Sequence, residues 1–130
     1  MDNKTITRDF YAALTEGRLT VIDELVAEGF IEHEDVPTDA DGRDGLHEMF
    51  ESLHAAFTDF AMTIEDMVAE GDKVFVRATM QGIQRAEFLG IPSKGKPMLV
   101  PVADVLRFED GRIVEHWGVM DTGQMMEQLL

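Results

Sequence analysis

The sequence predicts an α+β fold in which N-terminal helices pack on a bent antiparallel sheet. Two observations predict it. The first half carries apolar residues at helical spacing, and after Asp59 the period changes to the alternation of strands. The strand candidates then follow one another through short turns, which is how an antiparallel meander reads.

Ile6, Phe10, Ala13 and Leu14 fall on one helical face, and Gly17 stops that helix. Val21, Ile22, Leu25 and Val26 predict a second, short helix, with Thr20 as N-cap and Gly29 as stop. Phe30 to Glu34 reads as a short strand, and Pro37 to Gly45 as a polar, turn-rich stretch. Leu46, Met49, Phe50, Leu53 and Phe57 give a third helix with a clean apolar stripe. Met62, Ile64 and Val68 then alternate with polar neighbours, and Glu70-Gly71-Asp72 is a turn. Val74, Val76, Ala78 and Met80 share one strand face. A loop with Gly90, Pro92, Gly95 and Pro97 leads to a strand with Val100, Val102, Leu106 and Phe108 on one face. Asp110-Gly111 turns the chain into a last strand, Ile113 to Asp121, and Gly123 to Leu130 reads as a helical tail.

The 130 residues fit one domain, 1–130, large enough to bury a core without staples. Asp and Glu number 26 against 11 Lys and Arg, a formal net charge of −15. Nucleic acid and anionic membranes are poor partners for such a surface. Only four of the basic residues are lysine, and the acid density suits either a salt-adapted organism or plain solubility. With no cysteine, disulfides, thiolate chemistry and Cys-ligated metal sites are excluded. The N-terminus is polar and no apolar run approaches the ~20 residues of a membrane helix. The reading is a soluble, cytoplasmic protein.

Three stretches carry a resemblance: Ala69-Glu-Gly-Asp-Lys-Val74; Glu87-Phe-Leu-Gly-Ile-Pro92 running on to Gly95-Lys96; and Arg107-Phe-Glu-Asp-Gly-Arg-Ile-Val-Glu-His-Trp117 with Asp121 and Gln128-Leu129. From about His33 to the end the chain resembles the SnoaL-like polyketide cyclases, or ester cyclases, of the nuclear-transport-factor-2-like superfamily. The resemblance implies a cone-shaped barrel around an apolar pocket. A homodimer is expected because a curved sheet has two faces and one must be covered. The resemblance also implies acid/base aldol closure of a polyketide ester without metal or cofactor. The chain departs from the cyclase pattern in three places. Gly118 stands where the cyclases carry their essential aspartate, Asp104 matches their histidine, and Ile83-Gln84 replaces a common Thr-His pair.

An aldol closure needs a base beside a carbonyl and a donor for the enolate oxygen. Asp104 interrupts an otherwise apolar strand face, which is costly unless the carboxylate is paired or used. It is either catalytic or a pocket-mouth residue held by a backbone or arginine partner. His116 lies on the next strand. A two-residue Asp110-Gly111 turn sets Asp104 opposite Trp117, whereas a three-residue loop with a glycine bulge sets it opposite His116. The catalytic candidates are therefore Asp104 and His116, a couple swapped relative to the cyclases. Candidate ligand-binding residues are His33 near the pocket entrance, Trp117 in the pocket wall or a dimer contact, Asp121, Tyr11 and His54. Asp121 reads equally as a helix N-cap, and His54 as a packed helix-face histidine. His47 and His54 are seven apart on a helix without further ligands, so no metal is expected. Met62, Met80, Met98 and Met120 are candidates for an adaptable pocket lining. The function expected is cofactor-free acid/base catalysis on a small apolar carbonyl compound. The alternative is a binding module that holds such a ligand without turning it over.

Overall fold

The computed structural model describes residues 2–36 and 38–130; Pro37, the first residue of the expected turn-rich stretch, lies outside them. Among these residues the chain forms α1 (Asn3–Glu16), α2 (Thr20–Leu25), β1 (Val26–Glu32) and α3 (Gly42–Ala56). Then come β2 (Phe57–Glu70), β3 (Lys73–Gln84), β4 (Pro97–Glu109), β5 (Arg112–Met120) and α4 (Thr122–Leu129).

Helix α1 begins where the Asp2 carboxylate accepts the Thr5 N–H at 2.7 Å. It ends at Gly17, whose left-handed backbone (φ 78°) lets the chain turn back on the last carbonyls. Its apolar stripe is buried as expected, with Ile6, Phe10 and Leu14 in the core beside Leu53 and Phe57. Several boundaries differ from the sequence reading. Helix α2 starts from Leu19 without a side-chain cap, so Thr20 is its first residue and not its N-cap. It stops at Leu25, because Val26 is fully buried as the first residue of β1; Gly29 lies inside that strand and is not a helix stop. Phe57 belongs to β2 and not to α3. It pairs with Gln84 and packs edge-on against Phe88, with ring centroids 5.3 Å apart.

The sheet runs in the order β1-β5-β4-β3-β2. Strands β2 to β5 form the expected antiparallel meander. The sheet is mixed, however, because β1 pairs with β5 in parallel, Glu32 standing beside His116. This is a tertiary effect. The β5 edge offers unpaired backbone groups, and β1 arrives from the helices in the same direction as β5. Along β3 and β4 alternate residues are buried, including Val74, Val76, Val100, Val102 and Leu106. That inner face meets the helices. Between them lies a cavity of about 470 Å³, walled by residues such as Phe10, Leu14, Phe30, Phe50, Met80 and Val102.

Candidate active site

Asp104 sits on the inner face of β4 at 6% exposure, as the strand's alternation requires. Across the hairpin the register is neither of the two expected. Asp110 and Gly111 both have positive φ and form a two-residue turn, so Glu109 pairs with Arg112 and Phe108 with Ile113. The register then slips, and Arg107 pairs with Glu115. Val114 is thus an extra residue in β5, a bulge. Because side chains alternate with a period of two, one extra residue exchanges the faces of everything beyond it. Beyond the bulge His116, Gly118 and Met120 face inward, while Glu115, Trp117 and Val119 face outward.

Asp104 is directly opposite Gly118, and His116 is opposite Leu106. The His116 ring leans diagonally over Gly118 and reaches Asp104, Nε2 to Oδ1 at 2.7 Å. A Cβ at position 118 would lie 2.6 Å from the ring's Cε1 and 2.2 Å from Oε1 of Glu34. Only glycine leaves room for both groups as they stand. The other ring nitrogen, Nδ1, meets Glu32 Oε1 at 2.6 Å. From α1, the Tyr11 hydroxyl donates to Asp104 Oδ2. The site is therefore a chain of four groups, Tyr11, Asp104, His116 and Glu32, in which each carboxylate receives a directed proton.

The electrostatics follow from this packing. Burial alone would push His116 below its ordinary 6.5, but the bonds to Asp104 and Glu32 prevail and hold it at about 10. It is an imidazolium at neutral pH. Burial, then the charge of Asp104, pushes Tyr11 well above the usual phenol range, so it remains a donor. Burial raises the Glu34 carboxyl; His116 pulls it down, and Asp104 and Glu32 push it up again.

Glu34, Asp104 and His116 bring one donor atom each within 4.8 Å of one another. That spacing would suit a cation, but both His116 nitrogens and both Asp104 oxygens are already engaged in hydrogen bonds. His47 bonds Asp23 and His54 bonds the Leu14 carbonyl, so these two histidines do not converge.

The chain matches the SnoaL-like polyketide cyclase family over residues 5–129. It belongs to that family. Among solved structures it is similar to TsrD from Streptomyces laurentii, with 28% identity and a TM-score of 0.88 over 98% of this chain and 96% of that one. It is also similar to IdmH from Streptomyces antibioticus, a proposed polyketide cyclase, with 29% identity, a TM-score of 0.85 and 98% of each chain covered. A protein from Acidithiobacillus ferrooxidans, also a proposed polyketide cyclase, is 26% identical with a TM-score of 0.84, covering 99% of this chain and 97% of that one. No curated protein sequence matches.

In this SnoaL-like protein the cavity gathers Tyr11, Asp104 and His116 and leaves the other sequence candidates outside its wall. The bulge turns Trp117 to the outer face, where it stacks on His33 with ring centroids 4.8 Å apart. His33 also bonds Glu115 at 2.6 Å on that side. Asp121 caps α4 by accepting the Gln124 N–H at 2.9 Å. His54 is held by the Leu14 carbonyl at 2.6 Å and by the edge of Phe60. Met62, Met80 and Met120 line the cavity, with Met49 added, whereas Met98 is buried elsewhere. Sequence reasoning missed Glu32 and Glu34. The signal was one residue away. If His33 points outward on extended backbone, its two neighbours must point inward.

Proposed function

We propose that the cavity is the active site of a cofactor-free acid/base catalyst acting on a small apolar carbonyl compound, by aldol closure or isomerisation. The observation that carries this is Asp104, a carboxylate in an apolar wall, bonded at once to Tyr11 and His116. Each carboxylate oxygen has two acceptor directions, so one remains for the substrate after each of these bonds. Asp104 takes the proton from the carbon beside the substrate carbonyl. The electron pair left behind closes onto a second carbonyl carbon, whose oxygen takes up a proton; in isomerisation the proton returns to a different carbon. Either product is an isomer of the substrate, and no other reactant is needed. His116 is a positioning residue. Its ring nitrogens are both occupied, and its charge steadies Asp104 and the developing enolate. The volume and apolar wall suit a small hydrophobic molecule.

In the same reading the protein works in the cytoplasm as a homodimer. Among the described residues no helix is long and apolar enough to cross a membrane. On the outer sheet face Val68, Phe75, Val105 and Trp117 are successive direct partners across four strands. This apolar row supports a second copy as partner.

The test is Asp104→Asn, assayed on a panel of cyclisable diketones and β,γ-unsaturated ketones. Turnover is expected to fall at least ~100-fold while ligand binding, read by calorimetry, persists. Normal turnover by the Asn variant overturns the catalytic reading. One observation favours a binding module instead: the imidazolium has no free N–H to offer a substrate. Tight binding of a ketone with no turnover in the wild type would select that reading.

A further inference from the structure

Among the described residues, Glu34 is the one half-buried cavity carboxyl that accepts no hydrogen bond; Asp35 and Asp41, on the same wall, are exposed. Glu34 follows β1, in a bend of the chain, and faces the cavity. Its backbone N–H donates to Glu32 Oε1 at 2.9 Å, which ties down Glu32 and leaves the Glu34 side chain free. That side chain is half-buried and lines the cavity. Its carboxyl stands within 4.8 Å of the working atoms of Asp104 and His116, over the open space at Gly118. Burial of a carboxyl that is neither paired nor bonded shifts its balance toward the neutral acid. A neutral acid is a donor, and the donor the reaction needs has no other candidate here. Tyr11 donates to Asp104, and both His116 protons go to carboxylates.

We propose that Glu34 is a second catalytic group, the hydrogen-bond and proton donor to the substrate's carbonyl oxygen, standing beside the base Asp104. This rests on the acid/base reading of the cavity. A carbonyl oxygen and the hydrogen on the neighbouring carbon are only a few bonds apart, so one ketone can touch both carboxyl groups. As Asp104 removes the carbon-bound proton, the C–H electron pair moves into the new C=C bond and the carbonyl π pair moves onto oxygen. The oxygen draws the Glu34 proton. When the enol collapses, that proton returns to Glu34, and the proton on Asp104 goes to a different carbon in isomerisation or to the oxygen of the attacked carbonyl in aldol closure, so the enzyme ends unchanged. The site thereby selects ketones whose oxygen can reach the Gly118 side of the cavity.

The experiment is isotope-edited infrared spectroscopy of acetylnaphthalene, labelled at the carbonyl carbon, bound to the full chain and to Glu34→Gln, Glu34→Ala and Asp104→Asn. The groups facing Glu34 are Tyr11 from α1, Glu32 from β1, Asp104 from β4 and His116 from β5, with Asp35 and Asp41 along the same wall. In the wild type the carbonyl stretch is expected at lower frequency than in an apolar solvent. That shift should be lost as pH rises through the Glu34 titration, which burial raises. Glu34→Gln should keep a smaller shift that does not depend on pH. Glu34→Ala should abolish it, and Asp104→Asn should retain it. An unshifted stretch in the wild type, or a shift that survives in Glu34→Ala, overturns the role of Glu34 and leaves the base reading standing. Failure of acetylnaphthalene to bind at all overturns the carbonyl pocket and this proposal with it.

Discussion

Asp104 and His116 are bonded at 2.7 Å although neither is the other's direct partner across the hairpin. The contact is a diagonal over Gly118, and it exists because Val114 adds one residue to β5 and turns His116 inward. A glycine and a bulge, neither of them chemically active, assemble the site.

Gly118→Ala should therefore damage the site more than the fold. The added methyl falls on the positions of the His116 ring and the Glu34 carboxyl, whose flexible ends can move away. Breaking a hydrogen bond to a charged group costs about 1.5–3 kcal/mol. NMR titration should find His116 well below about 10 in the variant. An unmoved His116 titration would show that the ring does not depend on this glycine.

Stability should decline with rising pH through two groups. The folded-state value of His116, about 10, lies above its ordinary 6.5, so its contribution is complete below that value and is lost as pH climbs through about 10. The amount is on the order of a few kcal/mol, given about 1.4 kcal/mol per unit. Glu34 is raised as well, so it too favours the folded state below its ordinary 4.5 and loses that contribution as pH climbs through its raised folded value. Urea unfolding from pH 5 to 10 checks both. His116→Gln should flatten the alkaline limb, and Glu34→Gln the other.

The outer face should hold a second copy. Val68 and Val119 are 65% and 70% exposed, beside Phe75 and the Trp117 row. Light scattering at micromolar concentration should give twice the chain mass. Val119→Arg should bring it to the monomer value, because an unpaired charge in an apolar contact is costly. A wild-type monomer would rule this surface out.

Much of this architecture is local and so was readable from residue order. The 3.6 spacing of Ile6, Phe10 and Leu14, and the alternation along Val100, Val102, Asp104 and Leu106, decide which faces are buried. The same alternation placed Asp104 in the cavity wall, and the Asp110-Gly111 pair marked the hairpin turn. What the order of residues could not carry is which groups meet. A turn of two residues predicts Trp117 opposite Asp104; the bulge at Val114 reverses that, sending Trp117 outward and His116 inward. Glu32 reaches His116 only because β1 joins β5 in parallel, a pairing between segments more than eighty residues apart. Side-chain alternation is a property of one strand, determined by its own backbone. Register and strand partners are settled by the packing of the whole sheet, and a shift of one residue exchanges its two faces.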